Sequence, residues 1–240
     1  MNNTNRTFQE TQYFDLRNSP QLDSEVKKGV LPSYITNLLP HNKDARILDI
    51  GCGFGGLLLQ LRLHGYRNIH GIDINDAAIE FCKEKKLDVI KTDSIIDYGN
   101  SYNDKKYDLI IMTHIIEHIK KDEIIATLAA IKKLLKEDGK LYLTTPNAQS
   151  RSGCYWAYED FTHEVLFTSG SLYYVLSAAG FTNVIFLDPN NTDNSRFKLI
   201  KNIFLSLYKL NDKFWNKMTG AAYHPNSPII YSWEIKVEAK

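Results

Sequence analysis

The stretch Arg46-Ile47-Leu48-Asp49-Ile50-Gly51-Cys52-Gly53-Phe54-Gly55-Gly56 restricts the fold more than any other part of this chain. An apolar run of strand length breaks into four glycines within six residues. Leu57-Leu58-Leu59-Gln60-Leu61 then continues with helical character. A strand, a glycine turn and a helix together make an edge suited to phosphate or carboxylate. Glycine lets the backbone approach a ligand, and the free N–H groups of a helix start favour an anion. Gly51, Gly53 and Gly56 satisfy G-x-G-x-x-G. That pattern alone leaves open a dinucleotide, another nucleoside or no ligand at all.

The rest of the chain alternates around this unit. Strands are expected at 45–50, 68–74, 87–91, 106–113 and 140–145, with helices at 55–64, 77–85 and 117–136 between them. The run from Lys106 to Thr113 is almost continuously apolar, as in a strand covered on both faces. Such alternation predicts an α/β fold with a parallel, doubly wound sheet. Residues 1–44 read as a helical lead-in, with apolar spacing at Leu22, Val26, Val30, Tyr34 and Leu38 interrupted by Gly29 and Pro32. Tyr13-Phe14 lies upstream as a candidate pocket cover or core pair. Residues 45–240 read as the main domain. Within it lie a polar and aromatic loop at 147–168, a helix capped by Ser169 or Ser171 and ending at Gly180, and a strand at 182–187. A linker at 189–195, a helix at 196–218 inside an insertion at 190–227, and a last strand at 229–237 complete the chain.

At 240 residues the chain suits one large domain or a domain with a subdomain. A net charge of +1 gives no reason to expect nucleic-acid binding. Cys52, Cys82 and Cys154 are dispersed and odd in number, which argues against a disulfide framework and for a reducing compartment. The polar start is unlike a secretory signal, and no apolar run reaches membrane-span length, so the expected location is cytoplasmic.

Asp73 ends the second strand beside the glycine turn, where a carboxylate can accept hydrogen bonds from both hydroxyls of a ribose. NAD and S-adenosylmethionine proteins share that feature. Three features discriminate between them: Asp49 inside the first strand, a third acidic turn at Thr92-Asp93-Ser94, and no second substrate domain after the sheet. Together with Gly71-Ile72-Asp73-Ile74, Tyr107-Asp108-Leu109-Ile110-Ile111 and Gly139-Lys140-Leu141-Tyr142-Leu143, the chain over roughly residues 30–187 resembles the class I S-adenosylmethionine-dependent methyltransferases. The resemblance implies a Rossmann-like seven-stranded sheet with an antiparallel last strand, and a helical insertion before that strand. It implies S-adenosyl-L-methionine as cofactor and S-adenosyl-L-homocysteine as product. Asp49, Gly51, Cys52 and Gly53 would lie at its methionine part, Asp73 at the ribose and Ile74 against adenine. Asp93 and the Ser94 backbone would meet the adenine edge, with Thr113 and His114 beneath the sulfonium. Gly55 and Gly56 are read as close helix packing instead.

Methyl transfer needs mainly alignment. A hydroxyl acceptor also needs its proton removed, whereas a phosphate-type oxygen does not. His114-Ile115-Ile116-Glu117-His118 has the letters of an H-x-x-E-H zinc motif. Its place after a buried strand matches a similar turn of this methyltransferase class. No metal is assigned, with Glu117 and His118 the pair to watch. The Tyr158 to Ser169 run, with Asp160-x-Thr162-His163 at its centre, resembles the subset of these enzymes that acts in glycan and quinone biosynthesis. His163 is the candidate base, Asp160 its orienting group, and His114 a further catalytic candidate. Asn147, Tyr155, Trp156, Tyr158 and His118 are candidate acceptor contacts.

The expected reaction is O-methylation of a nucleotide-activated sugar or capsule-type glycan precursor, a phosphorus-containing capsule group being a variant. A quinone-like or phenolic acceptor is the alternative, and a catalytically silent cofactor-binding module a second one. The helix at 196–218, with its apolar stripe and basic residues, is expected to pack on its own domain or on a twin subunit. An anionic membrane surface is the weaker reading.

Overall fold

The computed structural model describes residues 31, 33–101, 106–187, 198–221 and 228–240. Most of the expected helical lead-in, Tyr13-Phe14 and the linker at 189–195 lie outside the described residues. In order, the elements are α1 (Ser33–Thr36), β1 (Arg46–Ile50), α2 (Gly56–Leu63), β2 (Asn68–Asp73), α3 (Asp76–Glu84), β3 (Val89–Lys91), α4 (Ile95–Ser101) and β4 (Tyr107–Thr113). They continue with a 3-10 turn (Ile116–His118), α5 (Ile124–Leu134), β5 (Leu135–Pro146), α6 (Gly153–Glu159), α7 (Ser169–Ala178), β6 (Val184–Phe186), α8 (Lys198–Thr219) and β7 (Glu234–Ala239).

The seven strands form one sheet in the order β3-β2-β1-β4-β5-β7-β6. The five strands β1 to β5 run parallel, and β7 is antiparallel to both β5 and β6. Alternation along the central strands divides the core. Leu48, Ile50, Ile110, Met112, Leu141 and Leu143 face a cluster with Leu128, Ile131, Leu172 and Leu176 of α5 and α7. Ile47, Leu109, Ile111 and Tyr142 face the other cluster, with Leu58 and Leu61 of α2 and Ile79 and Cys82 of α3. Each fully buried aliphatic side chain contributes about 1.5–3 kcal/mol relative to exposure. The two-sided strands are therefore where register is fixed most firmly.

Several elements differ from expectation for local reasons. The helix expected over 117–136 starts at Ile124, because Glu164 and Val165 N–H groups take the Glu117 carbonyl and Ile119 is extended at ψ 136°. It ends at Leu134, since Leu135 already pairs with Tyr107. At Gly139 a Cβ would lie 2.6 Å from the Tyr107 carbonyl oxygen, so only glycine fits that crossing. The crossover helix α4, hidden in sequence by Asp97, Gly99 and Asn100, packs on α5 where a Cβ on Gly99 would stand 2.9 Å from Ala130 Cβ. The helix after the 147–168 loop is capped by Thr168, which exchanges hydrogen bonds with Ser171.

The strand directions place the site. Parallel β1, β2, β4 and β5 end at one sheet edge. The antiparallel β7 begins at that same edge, Glu234 lying opposite Pro146.

Candidate functional site

At the β1 and β2 tips the backbone turns sharply. Gly51, Gly53 and Gly55 have φ of 74°, 49° and 75°, values that L side chains rarely adopt. The N–H of Gly51 bonds the Ile72 carbonyl at 2.8 Å, which ties the turn to β2. A Cβ on Gly51 would come within 2.1 Å of Ile115 Cδ1, and one on Gly55 within 2.5 Å of Leu87 Cδ1. Asp73 is buried and accepts the Gly53 N–H on Oδ2 (2.7 Å) and the Asn75 N–H on Oδ1 (2.8 Å). A carboxylate has about four lone-pair sites, so two remain for a ligand's hydroxyls. Asn75 in turn caps α3 by accepting the Ala78 N–H at 2.8 Å. Asp49 is buried in β1. Burial, and then the charge of Asp73, push its carboxyl up to about 8, so it is largely protonated at neutral pH.

Two expected cofactor contacts have other work. Cys52 donates its N–H to the Ile72 carbonyl and its thiol to the Gly53 carbonyl at 3.8 Å, and its own carbonyl accepts the Gly55 N–H. It builds the turn from beneath. The Ser94 N–H is held by Thr92 Oγ1, and its carbonyl accepts the Thr92 hydroxyl and the Tyr98 N–H. That leaves Asp93, which is exposed, and Ile74, which is 39% exposed, on the open side of the turn.

Beyond β4, His114 has φ of 54°, a strained conformation for a non-glycine residue. Its Nδ1 meets Glu117 Oε1 at 3.2 Å, its Nε2 meets Glu234 Oε2 at 3.3 Å, and its ring stacks on Trp233 with 5.5 Å between centroids. Burial works against its charge, but the hydrogen bonds to Glu117 and Glu234 outweigh it and raise the imidazole to about 9. His114 is therefore a cation at neutral pH with both nitrogens donating. As a cation it is not available as a proton acceptor, so a catalytic part for His114 would be electrostatic. Glu234 is held below the ordinary carboxylate range: burial opposes this, and the hydrogen bonds from His114 and Lys236 prevail. Thr113, beside His114, pairs across to Thr144 of β5.

The 160–165 loop docks on the Glu117 carbonyl and brings His163 against His118, with ring centroids 4.8 Å apart. His163 Nδ1 donates to the Trp156 carbonyl at 2.8 Å, which leaves its Nε2 with the lone pair. The Thr162 hydroxyl donates to Asp160 Oδ1 at 2.6 Å, and so accepts from His118 Nδ1 at 2.8 Å. Asp160 thus orients His118 through Thr162, and the Trp156 carbonyl holds the His163 ring. Burial pushes His118 below histidine's ordinary value against the pull of Glu117 and Asp160, so it is neutral. Glu117, His118 and His163 offer ligand atoms within 4.8 Å of one another. Two imidazoles oriented by outer hydrogen bonds, beside a buried carboxylate, are a donor set that can hold a divalent cation.

Trp156 lies 4.9 Å from Trp233, ring to ring, and Tyr155 meets Trp156 edge-on. Tyr158 and Phe161 are 85% and 91% exposed at the rim. Asn147 is fully buried and does not reach this space. Its Nδ2 donates to the Ile230 and Ser232 carbonyls and its Oδ1 accepts the Gln149 N–H, so it fastens the 230–232 segment. Sequence reading missed Ile115, Thr162, Trp233 and Glu234. The last two lie inside the strand expected over 229–237, whereas β7 begins only at Glu234. A cavity of about 390 Å³ at the opposite sheet edge is lined by Arg62, Arg67 and Lys86. Arg62 is spent on the Lys85 and Lys86 carbonyls and Arg67 on Asp44, so that cavity holds no comparable chemistry.

A protein family described as a methyltransferase domain matches residues 23–185. The chain belongs to that family. The chain carries a methyltransferase domain of the S-adenosylmethionine-dependent class. The ubiquinone biosynthesis O-methyltransferase of Rickettsia bellii is 29% identical over 113 residues, 45% of each chain. An S-adenosylmethionine-dependent methyltransferase from Archaeoglobus fulgidus superposes with a TM-score of 0.64 at 23% identity, covering 95% of this chain and 97% of that one. The Haemonchus contortus phosphoethanolamine N-methyltransferase 2, solved with S-adenosylmethionine, gives a TM-score of 0.55 at 18% identity over 85% of this chain and 50% of its own. This methyltransferase spans about half the length of the curated relatives it matches. Its residues fit the cofactor: Asp73 is pre-aimed with acceptor sites to spare, and the turn bearing Gly51 and Gly53 carries no side chain that would fill the approach.

Proposed function

We propose that the methyltransferase O-methylates a small phenolic or quinone-like ring compound. The carrying observation is the juxtaposition of the Trp156–Trp233 pair with His163, whose Nε2 is left as proton acceptor. Support also comes from the Rickettsia relative, whose name is that of a ubiquinone biosynthesis O-methyltransferase. The matched family and the relatives described above carry no sugar or capsule acceptor in their names.

When bound, S-adenosylmethionine supplies a methyl group on a positively charged sulfur. Asp73 would hold the ribose hydroxyls, Ile74 would cover the adenine ring, and Asp93 would meet the adenine amino group. Gly51 and Gly53 would follow the methionine part, above buried Asp49. The tryptophans would stack on the acceptor ring and turn one hydroxyl inward. His163 Nε2 would take that hydroxyl's proton as the oxygen attacks. His114, cationic between Glu117 and Glu234, would hold the floor and orient Trp233. A second reading of the proton step follows from the Glu117–His118–His163 trio. A divalent cation held there would lower the hydroxyl's pKa and leave His163 as ligand.

The test is production of S-adenosylhomocysteine against catechols and hydroquinones, in parallel with nucleotide sugars, each with chelator and with added Mg²⁺ or Mn²⁺. Turnover confined to the phenols supports the proposal, and chelator-sensitive turnover selects the metal variant. Turnover on nucleotide sugars alone overturns it.

A further inference from the structure

An amphipathic helix on a globular domain normally turns its apolar stripe inward. Helix α8 does the reverse. Ile200, Ile203, Leu207, Leu210, Phe214 and Met218 follow one another at three- and four-residue steps, and every one is more than half exposed. At 3.6 residues per turn they occupy an arc of ~80°. The opposite side carries the partly buried Leu205, Tyr208, Asp212 and Asn216. That side holds the helix to the protein. Tyr208 meets the Tyr231 ring edge-on at 5.1 Å, Tyr231 donates its hydroxyl to Asp212 at 3.2 Å, and Arg151 covers Tyr208.

We infer that α8 is a binding surface for an anionic lipid bilayer, on which it lies in the plane of the headgroups. The charge pattern selects that occupant. The helix has five lysines against one aspartate; Lys209 lies over the Tyr231 ring, and Lys213 and Lys217, four residues apart, flank one side of the stripe. Such lysines can keep their stems on apolar surface and their ammonium groups among lipid phosphates. Trp215, 56% exposed on the other margin, has the amphipathic ring that interfaces favour. A second copy packed stripe to stripe would set two lysine-rich helices side by side with Asp212 of each on the far face, leaving Lys213 and Lys217 no acidic row on either helix to meet, so a twin subunit is the poorer match. No described helix is long and apolar enough to cross a membrane, and this one rests on the surface.

The placement also bears on access. Tyr231, the anchor of α8, sits within the segment whose Ile230 and Ser232 carbonyls Asn147 holds, and the next residue but one is Trp233 of the acceptor site. A bilayer under α8 would therefore lie beside the acceptor mouth. The lipid-binding surface stands on α8 alone and does not depend on which acceptor is methylated.

The test is co-sedimentation of the full chain with vesicles. One set is phosphatidylglycerol mixed with phosphatidylcholine, the other pure phosphatidylcholine. Binding is expected to the mixed vesicles and to be at least tenfold weaker with pure phosphatidylcholine. The variants Leu207→Glu and Lys213→Glu/Lys217→Glu should each lose at least tenfold with unchanged melting temperature, since these side chains are exposed. No sedimentation with phosphatidylglycerol overturns the proposal. So does equal binding by the lysine variant. A dimer in sedimentation equilibrium that Leu207→Glu dissociates overturns it in favour of a subunit contact.

Discussion

At the cofactor end, Gly51, Gly53, Asp73 and Asn75 belong to one strand–turn–helix–strand unit and meet mostly through backbone N–H groups. At the acceptor end, His114, Glu117, His118, His163, Trp156, Trp233 and Glu234 come from four separated segments and meet through side chains. The first end is specified by short-range sequence and by conformations that only glycine tolerates. The second is assembled by topology, since an antiparallel β7 has to begin where parallel β5 ends. A site divided in this way can keep one cofactor and change acceptors by altering the second set alone.

The sharpest way to break this division is to remove the proposed base. His163→Ala should lower kcat by about 100-fold or more with a phenolic acceptor, as expected for loss of general-base catalysis, while cofactor affinity stays within about twofold. A loss of cofactor binding instead would show the two ends to be coupled. Next, Gly51→Ala places a Cβ against Ile115 at a φ of 74° and should cost about 1–3 kcal/mol in chemical denaturation. Ile115→Ala in the same chain should recover part of that by removing the clash, while the backbone strain stays. An undisturbed Gly51→Ala protein would mean the turn is not under the constraint described.

A smaller effect is expected from Trp233→Ala. Losing one stacked ring should raise the acceptor KM about fivefold, in line with an aromatic pair of about 1 kcal/mol, and leave cofactor affinity unchanged in calorimetry. The mildest prediction concerns pH. His114 is raised from 6.5 to about 9 in the folded protein, so its contribution to stability is full below pH 6.5 and is lost as pH rises through 9. Melting temperature measured from pH 6 to pH 10 should show this fall. In Glu234→Gln, which removes one of the partners holding the proton, the fall should be smaller and should end at lower pH. Asp49, raised to about 8, has the same sign, its stabilising contribution fading between its ordinary value near 3.8 and pH 8. Asp49→Asn should flatten that lower stretch and leave the His114 stretch in place.

The same division explains what was legible in the sequence. The parallel sheet and the Gly51–Asp73 edge could be read, because alternating strand and helix runs and glycine turns are local signals, and the antiparallel last strand followed from the family resemblance alone. The spans of α5 and α4 could not: one was shortened by the loop that takes the Glu117 carbonyl, and the other looks like a turn because of Asp97, Gly99 and Asn100. At the acceptor end His163 and Trp156 stood out by residue type. The roles of Asp160, Asn147 and His114 depended on partners at Thr162, Ile230, Ser232 and Glu234 that no spacing connects to them. The outward stripe of α8 was visible as a pattern, but a stripe does not say which way it faces.

The most direct test of the division is a paired titration of S-adenosylhomocysteine into Asp73→Ala and His163→Ala in the calorimeter. The account predicts that Asp73→Ala binds at least about tenfold more weakly than the unaltered chain, from the loss of charge-assisted hydrogen bonds and of the carboxylate that fixes the Gly53 and Asn75 N–H groups. It predicts that His163→Ala binds as the unaltered chain does. Equal affinities in the two variants, or a loss confined to His163→Ala, would contradict it.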